Sequence, residues 1–201
     1  MMKNQFLQQK NLRYNDMKKQ KLRKGNVLIS EPNMRDPNFK HSVILITEHN
    51  EKESIGFIIN QPTKISINDL IDEFPHCIAP VYNGGPVQKD TLHFVHSLGS
   101  MIDGAIQISE NLYWGGNFQT LIRLVKSDEI KLTEIRFFMG YSGWGFGQLE
   151  DEIKQHSWIV ATANNKLILS ENNEELWKDF IVAMDEKYAV WINMPDDPSL
   201  N

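Results

Sequence analysis

The sequence predicts an α+β fold: one compact domain built on a mixed or mainly antiparallel sheet with helices packed around it. Three observations carry this. Many short β-branched runs are separated by turn residues, two stretches repeat apolar side chains at helical spacing, and a 201-residue chain of 41% hydrophobic and 10% aromatic residues can bury a core without spanning a membrane. The longest aliphatic run, Val43 to Ile46, falls far short of the roughly 20 apolar residues a membrane helix needs. The single Cys77 forms no internal disulfide and no zinc motif, and the chain is expected in the cytoplasm.

Charge divides the chain into two parts. Residues 1–24 carry eight Lys or Arg against Asp16, a net +7, whereas residues 25–201 hold 13 basic and 25 acidic side chains, a net −12. The first part is expected to be a basic arm, partly disordered or helical, and the second the folded domain. An arm so poor in aromatics and apolar periodicity fits a solvated tail better than a nucleic-acid grip, and no helix-turn-helix or finger accompanies it.

From Gly25 onward the elements follow in order. Val27 to Ser30 reads as a short strand, and Pro32 and Pro37 keep the next loop irregular. "HSVILITEH" and "SIGFIIN" flank a polar turn, so they form a hairpin. Ser66 and Asp69 stand at capping-box spacing and begin a short helix that ends before Pro75. "APVYNGGPV" is a strand broken at Asn83-Gly84-Gly85-Pro86. "TLHFVHS" and "GAIQISENLYW" are further strands, the latter turning near Glu110. Asn117 caps a helix striped by Phe118, Leu121, Ile122 and Val125. "EIRFFMG" and "SWIVATA" return as strands, Asn164-Asn165 suggests a tight hairpin to "KLILS", and 174–184 is the last helix.

The segment "GYSGWGFGQLEDE", residues 140–152, concentrates glycine and aromatics before an acidic stretch. Its glycines miss both the hydrolase nucleophile elbow and the dinucleotide fingerprint by one position. Carboxylates in the following helix's first turn would repel a phosphate. The segment is therefore either a strand-to-helix corner packed under aromatics or one wall of a binding surface. His93 and His96 are three apart on a strand, so they face opposite sides, and no metal site is assigned.

The ordered series "GNVLISEP", "DPNFKHSVILITEHN", "GFIINQP", "YNGGPV", "HFVHS", "GYSGWGFGQLEDEI", "SW" and "DPSLN" resembles the YqgE/AlgH family of bacterial proteins over nearly everything from Gly25 on. Gln61 departs from it, because the family commonly carries Arg or Lys there. The resemblance implies a compact α+β cytosolic protein with no established enzymatic activity and no cofactor. It maps the family's motifs onto Asn60 with Pro62, Gly84-Gly85-Pro86, His96 and the Tyr141 to Glu152 segment. These are expected to converge on one groove, walled by Tyr141 and Trp144, with Asn60, His96, Gln148 and Glu150 as polar contacts.

Three functions compete. A non-enzymatic binding or regulatory protein would hold a protein segment or small ligand in that groove. An enzyme would use His96 as acid-base with Glu150 or Glu152 as its partner. A transcriptional regulator acting on DNA comes third, and direct DNA binding by an acidic domain is not favoured. The balance is against an enzyme, and no catalytic residue is assigned.

Overall fold

The computed structural model describes residues 21–75, 79–162, 165–170 and 175–184, with side chains to Ile181 in the last stretch. Among the described residues ten strands form one curled sheet: β1 (Asn26–Ser30), β2 (Val43–His49), β3 (Glu53–Ile58), β4 (Pro62–Ser66), β5 (Pro80–Asn83), β6 (Val87–His96), β7 (Ile106–Ser109), β8 (Leu112–Trp114), β9 (Ile135–Gly145) and β10 (Trp158–Thr162). Their order is β10-β1-β2-β3-β9-β6-β8-β7, with the β4–β5 pair beside β9. Every described pairing is antiparallel except β5 with β9. Around the sheet lie α1 (Ile67–Leu70), α2 (Phe118–Lys126), α3 (Gln148–Lys154), α4 (Asn165–Ile168) and α5 (Leu176–Met184). The α+β expectation therefore holds, and no helix among the described residues is long and apolar enough to cross a membrane.

The period of two along each strand divides the core among the sheet's faces. Val27, Ile29, Val43, Leu45 and Phe57 point to a central core covered by Ile168 of α4 and by Leu176, Trp177, Phe180 and Ile181 of α5. Leu28, Ile44, Ile46 and Ile58 point the other way, under Leu149 of α3 and two tryptophans. In the β5–β6–β9 half, Val81, Phe94 and Phe137 face out beneath Leu121, Ile122 and Leu124 of α2. Both faces of β1 are covered, which explains why all five of its residues are buried.

β9 holds the two halves together. Along one side it pairs with β6. On the other, Phe137 to Met139 pair with β5 and Ser142 to Gly145 pair with β3, so β9 changes partner at Gly140 and Tyr141. Asn83-Gly84-Gly85 crosses β9 at that joint. Gly84 N–H donates to Met139 O at 2.8 Å, and Gly84 O accepts from Ile58 N at 3.0 Å and from Ser142 Oγ at 3.1 Å. A Cβ on Gly84 would sit 2.2 Å from Gly140 O, and Gly140 itself has φ +66° with Gly85 O and Val87 O 2.8 Å from where its Cβ would be. Two backbones meet here with no space for side chains.

Two local expectations give way to the structure. The glycine segment is not a loop following "EIRFFMG", because β9 continues through Tyr141, Ser142, Gly143 and Trp144 to Gly145, paired with β3. Only Phe146 and Gly147, the latter at φ +69°, form the corner before α3. Nor does "KLILS" return as a hairpin strand. Asn165–Ile168 is helical, and Ile168 with the following Leu169 is buried in the central core. The arm's first 20 residues, Cys77, Asn164, Glu174 and the Met184 side chain lie outside the described residues.

Gly84→Ala is expected to cost about 2 kcal/mol or more, since backbone rather than a flexible side chain opposes the new Cβ. At Gly145 a Cβ meets nothing within 4 Å, and Gly145→Ala should change stability by less than about 0.5 kcal/mol. Urea denaturation of the two variants checks this, and equal effects would contradict the crossing's role.

Candidate functional site

Most residues that the sequence nominates are spent on the fold. Asn60 is 7% exposed, and its Oδ1 accepts from Val43 N at 2.8 Å while its Nδ2 donates to His41 O at 2.9 Å. It closes the open end of β2. Gln61, the position noted above as a departure, holds Asn83: its O accepts from Asn83 N and its Oε1 from Asn83 Nδ2, both at 2.9 Å. Pro62 is half-buried and pairs with Tyr82 at the start of β4. Gly84 and Gly85 are buried at the β9 crossing, with Pro86 leading into β6.

His96 has no exposed surface and lies between the rings of Phe94 and Tyr113. Leu98 N donates to its Nδ1 at 3.2 Å and its Nε2 reaches Gly115 O at 3.0 Å. The carbonyl needs a donor and the amide needs an acceptor, so these partners fix the neutral Nε2–H tautomer. Burial lowers its pKa, partly opposed by the Gly115 carbonyl. A histidine with both nitrogens engaged by backbone and no access to solvent has no acid-base task, and neither Glu150 nor Glu152 is its partner. His93 points the other way, against Phe57, Trp114 and Tyr141, as the period-two spacing requires. No group of His, Cys, Asp and Glu among the described residues could hold a metal ion.

Tyr141 and Trp144 do not share a wall. Three apart on a strand, they face opposite sides: Tyr141 packs on the central core, Trp144 on the outer cluster with Leu28, Ile44 and Trp158. The four motifs therefore do not converge on a single groove. The outer cluster explains the acidic stretch instead. Glu152 Oε2 accepts from Trp144 Nε1 at 2.9 Å and Trp158 Nε1 at 2.7 Å, and its Oε1 accepts from Gln148 Nε2 at 2.9 Å. Gln148 in turn accepts from Gly145 N at 3.1 Å. Phe39 stacks on Trp144 and meets Trp158 edge-on, so the Asp-Pro-Asn-Phe loop closes the same cluster.

One part of the glycine segment stays open to solvent. Phe146 is 82% exposed beside an open cleft of about 900 Å³. His49, Glu51, Glu150, Lys21 and Arg23 are among the residues that line it. His49 Nδ1 lies 2.9 Å from Ser54 Oγ and its Nε2 3.7 Å from Glu150 Oε1. This is a serine–histidine–carboxylate series, but Ser54 is 3% exposed and paired opposite Trp144, so its hydroxyl does not open to a substrate. Sequence reasoning reached Glu150 but missed His49, Glu51 and Phe146. The signal it had was an unusual large aromatic between two glycines at a corner.

Glu152→Ala leaves two buried indole N–H groups without their acceptor and is expected to lower stability by about 1–3 kcal/mol. Glu152→Gln keeps an acceptor oxygen and should lose less. Denaturation followed by tryptophan emission checks the order, and an unaffected Ala variant would contradict the bridging role.

Comparison with known proteins agrees with this architecture. A family model described as AlgH-like matches residues 27–189. The chain is 42% identical over 181 residues to a UPF0301 protein of Chlorobium limicola, covering 90% of this chain and 97% of the relative. It is 39% identical over 181 residues to a UPF0301 protein of Cytophaga hutchinsonii, covering 90% and 100%. Among solved structures it resembles protein DIP2367 from Corynebacterium diphtheriae, with a TM-score of 0.73, 25% identity and coverage of 90% and 97%. It also resembles the AlgH protein from Pseudomonas aeruginosa, with a TM-score of 0.68, 25% identity and coverage of 89% and 99%. Family model, relatives and fold agree over the same span, and the chain belongs to the AlgH-like family.

Proposed function

We propose that this protein is a non-enzymatic binding or regulatory protein whose contact surface is the cleft beside Phe146. The observation that carries the reading is the 82% exposure of Phe146. Burying such a ring is worth about 1.5–3 kcal/mol, and here it is held outward at a corner whose neighbours Trp144 and Leu149 are buried. Beside it, Glu150, Glu51 and Arg23 offer charged contacts of both signs to an amphipathic partner. The enzymatic alternative has less support. His96 is enclosed, Glu152 is bound by two indoles, and Ser54, the partner of His49 in the cleft, is buried.

The test replaces Phe146 with the photo-crosslinker benzoylphenylalanine in growing cells, with Ile106, 51% exposed on β7, replaced in a control. A discrete adduct from position 146 and not from position 106 is expected. No adduct from 146, or the same adducts from both, contradicts the reading.

A further inference from the structure

The cleft is lined by two parts of the chain. Lys21, Leu22 and Arg23 are one, and they directly continue the chain's basic first segment. The remaining lining residues, His49, Asn50, Glu51, Phe146, Gly147 and Glu150, come from the β2–β3 turn and the β9–α3 corner and include two carboxylates but no Lys or Arg. The chain's path into this space is fixed. Gly25 N donates to Ile46 O at 2.8 Å, Arg23 N donates to Asn26 Oδ1 at 3.0 Å, and Leu22 is 8% exposed, packed in the cluster of Ile44, Trp144 and Trp158. The segment preceding Lys21 therefore begins at the cleft.

That segment has the complementary chemistry. Residues 1–20 carry Lys3, Lys10, Arg13, Lys18 and Lys19 against Asp16, a net +4, and Tyr14 and Met17 stand just before the lysine pair. Six residues span about 20 Å when extended, and Lys21 and Phe146 line the same cleft. The tether also makes the encounter intramolecular, which raises its effective concentration above that of a free peptide. Resting on the reading of the cleft as a binding surface, we propose that residues 14–19 of this chain occupy it in the absence of a partner. Lys18 and Lys19 are opposite in charge to Glu51 and Glu150, and Tyr14 and Met17 are apolar like the exposed Phe146. The arm is then a built-in competitor, and a partner binds by displacing it.

The experiment irradiates the purified full chain carrying benzoylphenylalanine at position 146 and maps the linked peptides. Links to residues 14–19 at monomer mass are expected. Their yield should fall about fivefold in Glu51→Lys/Glu150→Lys and in Lys18→Glu/Lys19→Glu, and fall likewise at high salt. Circular dichroism confirms that these surface variants remain folded. No internal link, links elsewhere in the chain, links to a second copy, or a yield indifferent to the charge reversals would each overturn the proposal. A partner adduct in cells without the internal link leaves the binding reading standing and removes the competitor. If the competitor is right, Lys18→Glu/Lys19→Glu also raises the partner adduct.

Discussion

The backbone crossing of Gly84 and Gly85 over Gly140 is the contact on which the rest of the structure depends. β9 cannot pair with β5 and β3 along one side unless the end of β5 and the end of β3 meet beside it, and Gly84 satisfies both through one N–H and one carbonyl. Buried backbone groups left without partners at that joint would cost free energy comparable to lost hydrogen bonds. The sheet is also curled. Gly25, ahead of β1, comes close enough to β7 that a Cβ there would lie 3.2 Å from the Ser109 Cβ, although β1 and β7 are far apart in strand order. The curled inner face then encloses α4 and α5, and the two outer faces take α2 and α3. Arg136 reinforces the arrangement from β9, donating to Ile59 O at 2.7 Å and to Ser170 O, with its guanidinium 4.3 Å from the Tyr82 ring centre.

Segment 140–152 thus has two tasks separated by one turn. Up to Gly145 it is strand, with Trp144 pinned by Glu152 from the helix that follows. A carboxylate shared by two indole N–H groups fixes how α3 lies on the sheet, and charge-assisted bonds of this kind are stronger than neutral ones. Beyond Gly145 the chain turns sharply and presents Phe146 to solvent. Both sides of the corner are anchored, by β3 pairing before it and by the Gln148 and Glu152 bonds after it, and the exposed ring stands between them.

What the sequence made legible was local. The β2–β3 hairpin, the Asn117 cap accepting from Thr120 N at 3.0 Å, and the Ser66–Asp69 box with its 2.7 Å bond each depend on residues close together in the chain. Their chemistry can be read from spacing alone. The order of the strands' partners could not be, because Glu53 to Gly56 pair with Ser142 to Gly145 across a long separation, and glycine in a strand weakens the local signal that would have announced β9's second half. Reading that half as a loop also hid the consequence that Tyr141 and Trp144 must diverge. The candidate groove failed for the same reason: Asn60, Gly84 and His96 look like recognition residues in sequence, but each bonds to backbone brought in from elsewhere. The cleft was illegible because Glu51 and Glu150 meet only through the sheet.

The claim that these motifs form the fold's joint rather than a ligand loop is tested most directly by native-state hydrogen exchange at the Gly84 amide. A joint predicts exchange as slow as that of Ile58 and the other amides of the β3–β9 core, opening only with global unfolding. Fast exchange at Gly84 while Ile58 stays protected would mean that the Gly-Gly-Pro segment opens independently, which contradicts the account.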